Sequence, residues 1–404
     1  MQKRQIGDLA IFGGPALFDE VRHVGRPNIG DRAKFFERVN AMLDERRLTN
    51  NGPNVLEFEA RVAALTGAPH CIAVCNATIG LELVARALGL RGEIIVPSFT
   101  FIATAHALDW LGLEPVFCDV DPETHTLDPE AAEQLITPRT SAILGVHTWG
   151  RVCDVPALSE VAGRRGLRLI FDAAHAFACG HDGAMVGTFG DAEVFSFHAT
   201  KFLNSFEGGA ITTRDPILAD RLRNMRNFGF AGLDNVVSAG TNGKMTEISA
   251  AMGITSLESI DDFIAQNRRN YELYRAGLAG IDGLTFYTLP AGDRLNYQYV
   301  VLLVDEAVAG ISRDMLVEIL HAEGVFARRY FYPGIHAAEP YRRATAERRA
   351  HLPVTERLVQ QAMQLPTGTA MSSGDADAVS ALLAFVVRHA GALSSQFRTL
   401  RPAS

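Results

Sequence analysis

From about Val55 to Thr213, short runs rich in apolar and β-branched residues alternate with longer stretches whose apolar positions recur at helical spacing. The runs are Cys71–Cys75, Glu93–Val96, Pro115–Cys118, Ala142–His147, Arg168–Asp172, Glu193–Phe197 and Gly209–Thr213. Several are almost continuously apolar, as strands buried on both faces of a parallel sheet must be. Between them, Thr78–Leu88 sets Leu81, Leu83, Val84 and Leu88 toward one helical face, and Ala157–Arg165 reads the same way. The pattern predicts an α/β fold: three layers around a mostly parallel sheet.

After about Asp215 the rhythm changes. Ser249–Gln266 reads as one long helix, continued through Asn267–Leu278 by Tyr271, Tyr274 and Leu278. Asn296–Val304 alternates like a strand, Ser312 is placed to cap a helix running to Glu323, Val325–Tyr330 reads as a strand, and Ala376–His389 as a closing helix. This predicts a large α/β domain over 1–250, with an N-terminal arm, and a smaller α+β domain over 251–404.

A chain of 404 residues has room for two such domains. Its 48% hydrophobic and 21% charged residues are ordinary for a globular protein and exclude disorder, collagen and coiled coil. The 38 basic against 46 acidic side chains leave a net charge of −8, which argues against a nucleic-acid partner. With no apolar stretch long enough for a signal peptide or a membrane span, the expected setting is cytoplasmic, away from membranes. Five cysteines, an odd number in a long chain, point to a reducing compartment. Cys71 and Cys75 fall in one strand-like run and read as buried small apolar residues. No spacing suggests a metal site.

Two segments carry candidate chemistry. In Arg-Leu-Ile-Phe-Asp172-Ala-Ala-His175 a carboxylate ends a buried strand, at the edge where open α/β sheets bind ligands. Asp172 there either meets a cation or strong donor, or caps the next turn. In Ser196-Phe-His-Ala-Thr-Lys201 one lysine enters an apolar setting made by Phe195, Phe197, Phe202 and Phe206. Burial lowers a lysine pKa and frees the amine to attack a carbonyl; an isolated lysine after a strand is otherwise plain surface. Asn76-Ala77-Thr78-Ile79-Gly80 follows a strand and opens a helix, so its N–H groups and the Thr78 hydroxyl can receive a phosphate, or merely cap the helix. Lysine, carboxylate and phosphate donors are what pyridoxal 5′-phosphate requires together.

Those segments, with Val96-Pro-Ser-Phe-Thr-Phe101 and Gly240-Thr-Asn242-Gly-Lys-Met-Thr-Glu247, resemble the sugar aminotransferases of the DegT/DnrJ/EryC1/StrS family from about Pro27 to Leu365. The resemblance implies the aspartate aminotransferase fold and pyridoxal 5′-phosphate, with pyridoxamine phosphate as the intermediate. It implies Lys201 as the Schiff-base lysine, Asp172 as partner of the pyridine nitrogen, His175 beside the ring, and Phe101 stacked on it. Ala77, Thr78 and Ser196 match phosphate-contacting positions. Asn242 matches a residue that reaches into a neighbouring subunit's site, which implies a homodimer.

Gly145-Val-His-Thr-Trp-Gly150, Ser196–Lys201 and Ala327-Arg-Arg-Tyr-Phe-Tyr-Pro-Gly334 resemble the branch that aminates C4 of dTDP-4-keto-6-deoxyglucose, with L-glutamate as donor, in aminodeoxysugar pathways for antibiotics or surface polysaccharides. Arg328, Arg329 and Lys244 are candidates for the nucleotide's pyrophosphate. Tyr330 is a candidate contact to the sugar edge, and His147 a candidate liner of the sugar pocket. A 3-ketosugar or keto-inositol would use similar machinery. A dehydratase on this fold replaces the lysine by histidine, whereas Lys201 is present. A non-catalytic sugar sensor would need a disabled site, and no G-x-G-x-x-G turn supports a dinucleotide enzyme.

Overall fold

A computed structural model describes residues 3–348 and 350–400. Seven strands build the central sheet: β1 (His70–Val74), β2 (Glu93–Pro97), β3 (Glu114–Cys118), β4 (Thr140–Val146), β5 (Arg168–Asp172), β6 (Ala192–Ser196) and β7 (Gly209–Thr213). Their order across the sheet is β3-β2-β4-β5-β6-β7-β1. β7 alone runs against the others, antiparallel to both β6 and β1. Parallel neighbours need a long crossover, whereas an antiparallel pair can be joined by a loop. The β6-to-β7 connection is such a loop, residues 197–208, and it carries Lys201.

Strand interiors are almost wholly buried because helices cover both faces. On one face Leu81, Val84 and Leu222 pack on Ile72, Val74 and Val194. On the other, Val55, Phe58 and Ile254 pack on Ala73, Phe195 and Phe197. The fold is the expected α/β three-layer arrangement. The strands that point the same way end along one edge, which brings Asn76, Ser98, His147, Asp172 and Phe197 together in space.

The C-terminal part has its own core around an antiparallel sheet of β8 (Leu284–Phe286), β9 (Val300–Val304) and β10 (Ala362–Leu365), backed by helices Ile260–Gly277 and Ser373–Arg388. Three expectations shift here. The predicted continuous helix breaks at Ser259, and its first half, Glu247–Glu258, packs Ala250, Ile254 and Leu257 into the large unit's core, so a boundary at 250 cuts a helix that belongs to that unit. The predicted strand Asn296–Val304 begins only at Val300, because Tyr297 takes φ +52° and interrupts the alternation. The run Val325–Tyr330 pairs as a strand only over Val325–Phe326.

The N-terminal arm is expected with the large domain; its stretch through His23 contacts the C-terminal unit instead, whereas Asn28 bonds Phe202 and Asn204 of the large unit. Leu9 lies in that unit's core, and Arg22–His23 pairs in parallel with Val325–Phe326. Buried Glu323 accepts the Ala10 and Leu17 N–H groups at 2.8 and 2.7 Å and meets Lys3 Nζ at 2.8 Å. An arm with no regular period declares its partner only through such distant contacts. Among the described residues, no single helix is long and apolar enough to cross a membrane.

Candidate active site

A cavity of about 550 Å³ opens at the carboxyl edge of the sheet. Its walls include Ala77, Thr78, Phe101, Asp172, His175, Ser196 and Lys201, with Arg328 and Tyr330 contributed by the C-terminal unit. Residues predicted from five separate segments therefore meet in one place.

Asp172 is almost fully buried at the end of β5. Thr104 Oγ1 donates to its Oδ2 at 2.9 Å, and the Ala174 N–H donates to Oδ1 at 3.0 Å. Burial raises its pKa, while those two donors and the Lys201 charge oppose the rise. An ionised carboxylate accepts about four hydrogen bonds, so two donors leave capacity directed at the cavity. Sequence reasoning missed Thr104, which sits inside a helix with nothing in the local pattern to mark it.

Lys201 lies across the same cavity, with Nζ 3.2 Å from Tyr299 Oη. Burial pushes its pKa down to about 8, against the pull of Asp172. His175 is held well below the usual histidine range by burial, with the Lys201 charge adding to the effect. It is an uncharged ring, stacked against Phe331 at 5.8 Å and tilted against Tyr299 at 4.2 Å. Its Nδ1 faces the backbone N–H of Trp149 at 3.4 Å, which assigns the ring proton to Nε2.

The helix Ala77–Ala87 points its N-terminus into the cavity, and Asn76 caps it by accepting the Ile79 N–H at 2.9 Å. Its approach depends on Gly209, where a Cβ would sit 2.8 Å from the Ala77 nitrogen. Free N–H groups at such an end favour an anion. The lysine loop is pinned by buried Asn28. Its Nδ2 donates to Phe202 O at 2.9 Å, its carbonyl accepts from Asn204 Nδ2 at 2.8 Å, and its Oδ1 accepts from Thr369 N and Oγ1 at 2.8 and 2.9 Å.

Four predicted residues stand outside this cavity. His147 is a correction: it does not line a sugar pocket but is completely buried beneath the sheet edge, stacked on Phe171. Its Nδ1 accepts the Cys153 N–H at 3.0 Å, so Nε2 carries the proton and donates to Glu193 Oε1 at 3.0 Å. Arg329 pairs with Asp314 at 3.3 Å and lines a smaller neighbouring groove with Tyr332. Asn242 is exposed, bridged to Asn227, and Lys244 lies over the Phe228 ring at 4.5 Å. Among the described residues there is no cluster that could hold a metal ion.

A half-buried lysine and a buried carboxylate on one cavity at the carboxyl edge of an α/β sheet, beside a helix N-terminus, form an arrangement suited to group transfer. The family model of the DegT/DnrJ/EryC1/StrS aminotransferase family matches residues 30–384, and the chain belongs to that family. A dTDP-4-amino-4,6-dideoxy-D-glucose transaminase of Shigella dysenteriae is 38% identical over 79% of this chain and 86% of its own length. One of the same name from Escherichia coli is 34% identical over 87% of this chain and 95% of its own. The crystal structure of DesI, determined in the presence of its TDP-sugar product, superposes with a TM-score of 0.94 at 51% identity, covering 98% of this chain and 100% of that one. The sequence-based reading of the family and of the α/β fold is borne out, and membership implies pyridoxal 5′-phosphate.

Proposed function

We propose that the protein transfers an amino group from L-glutamate to C4 of dTDP-4-keto-6-deoxyglucose, giving dTDP-4-amino-4,6-dideoxyglucose. The observation that carries this reading is the pairing of Lys201 and Asp172 across one cavity. Relatives named as transaminases of that sugar, and a TDP-sugar product in the DesI structure, support the substrate class.

The residues present fit pyridoxal 5′-phosphate. Asp172 has unused acceptor capacity for a pyridinium N–H, the Ala77–Thr78 helix end and Ser196 suit its phosphate, and Lys201 suits its aldehyde. Once bound, the cofactor supplies a conjugated ring that takes up the electrons of a bond broken at the amino-bearing carbon. Lys201 Nζ is the group that would take the α-proton of the amino donor and return a proton in the reverse sense for the ketosugar. Asp172 would hold the cofactor's ring nitrogen in its protonated state. His175 and Phe101 line the space that would hold the cofactor, and buried Phe331 and Trp149 exclude water from the side behind His175. Arg328, on the cavity rim, faces the substrate's pyrophosphate.

We place two copies together in the working enzyme. Ile29, Phe36 and Phe206 are exposed around a groove of about 360 Å³, an apolar surface suited to a second copy, and Phe206 is followed in the chain by Glu207 of the cavity wall. The Asn242 loop then serves the partner's cavity.

Purified protein incubated with L-glutamate and a panel of ketosugar nucleotides tests the proposal by product mass and NMR. An amine at C4 is expected. Amination at C3 alone, or turnover by Lys201→Ala at the wild-type rate, would overturn it. Arg328→Ala should raise KM for the ketosugar nucleotide about tenfold and leave the glutamate KM unchanged, as expected for one charge-assisted contact.

A further inference from the structure

The segment Asn296–Tyr299 crosses from the C-terminal unit to the lysine site and is held there in an unusual shape. Tyr297 takes φ +52°, a conformation that bulky residues rarely adopt and keep only where the surroundings fix it. Those surroundings are backbone groups of the site itself. Asn296 Nδ2 donates to the carbonyls of His175 and Phe177 at 2.9 and 3.0 Å, and Asn296 Oδ1 accepts the Gln298 N–H at 3.0 Å. Gln298 Nε2 donates to the carbonyl of Thr200, the residue before the lysine, at 3.3 Å.

This stitching delivers Tyr299 behind the wall, against His175 and Lys201. Its ring lies 4.2 Å from the His175 ring and 5.3 Å from that of Trp149, and the side chain is almost fully buried. Its hydroxyl meets Lys201 Nζ at 3.2 Å. We propose that Tyr299 is a further residue of the reaction: its hydroxyl holds Lys201 Nζ whenever that nitrogen is not bonded to the cofactor, and so fixes the direction from which Lys201 takes and gives its proton. The proposal rests on Lys201 being the reactive lysine.

The chemistry suits a phenol better than the alternatives. A phenolic O–H donates to the lone pair of an amine, and its oxygen accepts from an ammonium, so one group serves both protonation states of Nζ. A carboxylate there would lock the lysine as a cation, and an aliphatic side chain would leave it without a partner. Burial keeps the Tyr299 hydroxyl protonated, well above the ordinary tyrosine range. The other titratable or charged groups on the cavity walls are Asp172 and His175 from the β5 end, His198 and Glu207 from the lysine loop, and Arg328 and Tyr330 from the C-terminal unit.

The sign of the effect follows from bond strengths. A hydrogen bond from an ammonium is roughly twice as strong as one between neutral groups, so the hydroxyl favours the charged lysine and its removal lowers the lysine pKa further. Tyr299→Phe keeps the ring and deletes only the oxygen. Trace amine labelling of the cofactor-free protein across pH, read by peptide mass spectrometry, should titrate Lys201 near pH 8 in the wild type and about half a unit lower in the variant. In the holoenzyme kcat should fall about tenfold with both KM values nearly unchanged. Superimposable titrations and an unchanged kcat would overturn the proposal, as would a wild-type Lys201 that titrates like an ordinary lysine. A Tyr299→Phe protein that does not fold would also overturn it, since the hydroxyl would then serve the fold. Lys201→Ala, assayed beside it, separates the two failures: activity in that variant defeats the lysine reading, whereas a dead Lys201→Ala with a wild-type Tyr299→Phe defeats only the role of Tyr299.

Discussion

Two buried carboxylates lie on adjacent strands, Asp172 at the end of β5 and Glu193 within β6, and their surroundings are opposite in kind. Glu193 is completely enclosed. His147 Nε2 donates to its Oε1 at 3.0 Å, and the Gly187 and Phe189 N–H groups both donate to Oε2. Asp172 has two donors on its inner side and a cavity on the other. A buried charge is costly unless it is fully met. Glu193 is met by the protein, so its role ends with the fold. Asp172 is met in part, and the shortfall faces the space where a cationic ring would lie. The difference separates a carboxylate fully met by the protein from one open to a cavity, which burial alone does not.

Substitutions at each can break that distinction. Asp172→Asn keeps the shape but cannot hold a ring nitrogen protonated. We expect kcat to fall by about 10²- to 10³-fold, a loss typical of removing one preorganised electrostatic partner, with the melting temperature nearly unchanged. A variant active at wild-type rates would make Asp172 as structural as Glu193. Thr104→Val removes one donor from Asp172 while leaving its charge, and should cost kcat about tenfold with weaker cofactor retention, read by the visible absorption of the protein after dialysis.

Glu193→Gln should behave the other way. Its amide oxygen can face Gly187 and Phe189 only if its NH₂ faces His147 Nε2–H, and His147 cannot move that proton because Nδ1 already accepts from Cys153. One buried donor is left unmet, so denaturant unfolding should show a loss of about 3 kcal/mol, with kcat/KM of the folded fraction retained. A stable but inactive Glu193→Gln would erase the contrast. The smallest effect is expected at Gly209→Ala, where the added methyl would press on the Ala77 nitrogen. Retention of pyridoxal 5′-phosphate should weaken severalfold while Asp172 and Lys201 still act.

How much of this was legible beforehand depends on distance along the chain. β5 and β7 were readable to the residue, because Arg168–Asp172 and Gly209–Thr213 carry local apolar patterns that end on a charge or start on a glycine. Lys201 was singled out by its apolar setting, Asp172 by its place at a strand end and His175 by the family resemblance, and the structure brings all three onto one cavity. His147 was misplaced for a physical reason: it does follow a strand end that faces the site, but its side chain turns under the sheet toward Glu193, a partner 46 residues away. Tyr299 was hidden inside an apparent strand, and only the positive φ at Tyr297 turns its neighbours toward the lysine loop. The break at Ser259 was invisible because both helices share one periodic pattern.

The hub at Asn28 bears on time as well as on space. One side chain and one carbonyl join the beginning of the chain, the lysine loop and residue 369, partners 174, 176 and 341 positions apart. Contacts so distant form last in a chain made from one end. During synthesis the sheet and its strand ends can assemble once β7 at Gly209–Thr213 has been made, but the loop carrying Lys201 gains its last anchor only after Thr369 has been made. Lys201 is therefore set in place near the end of synthesis, when the walls around it are already built.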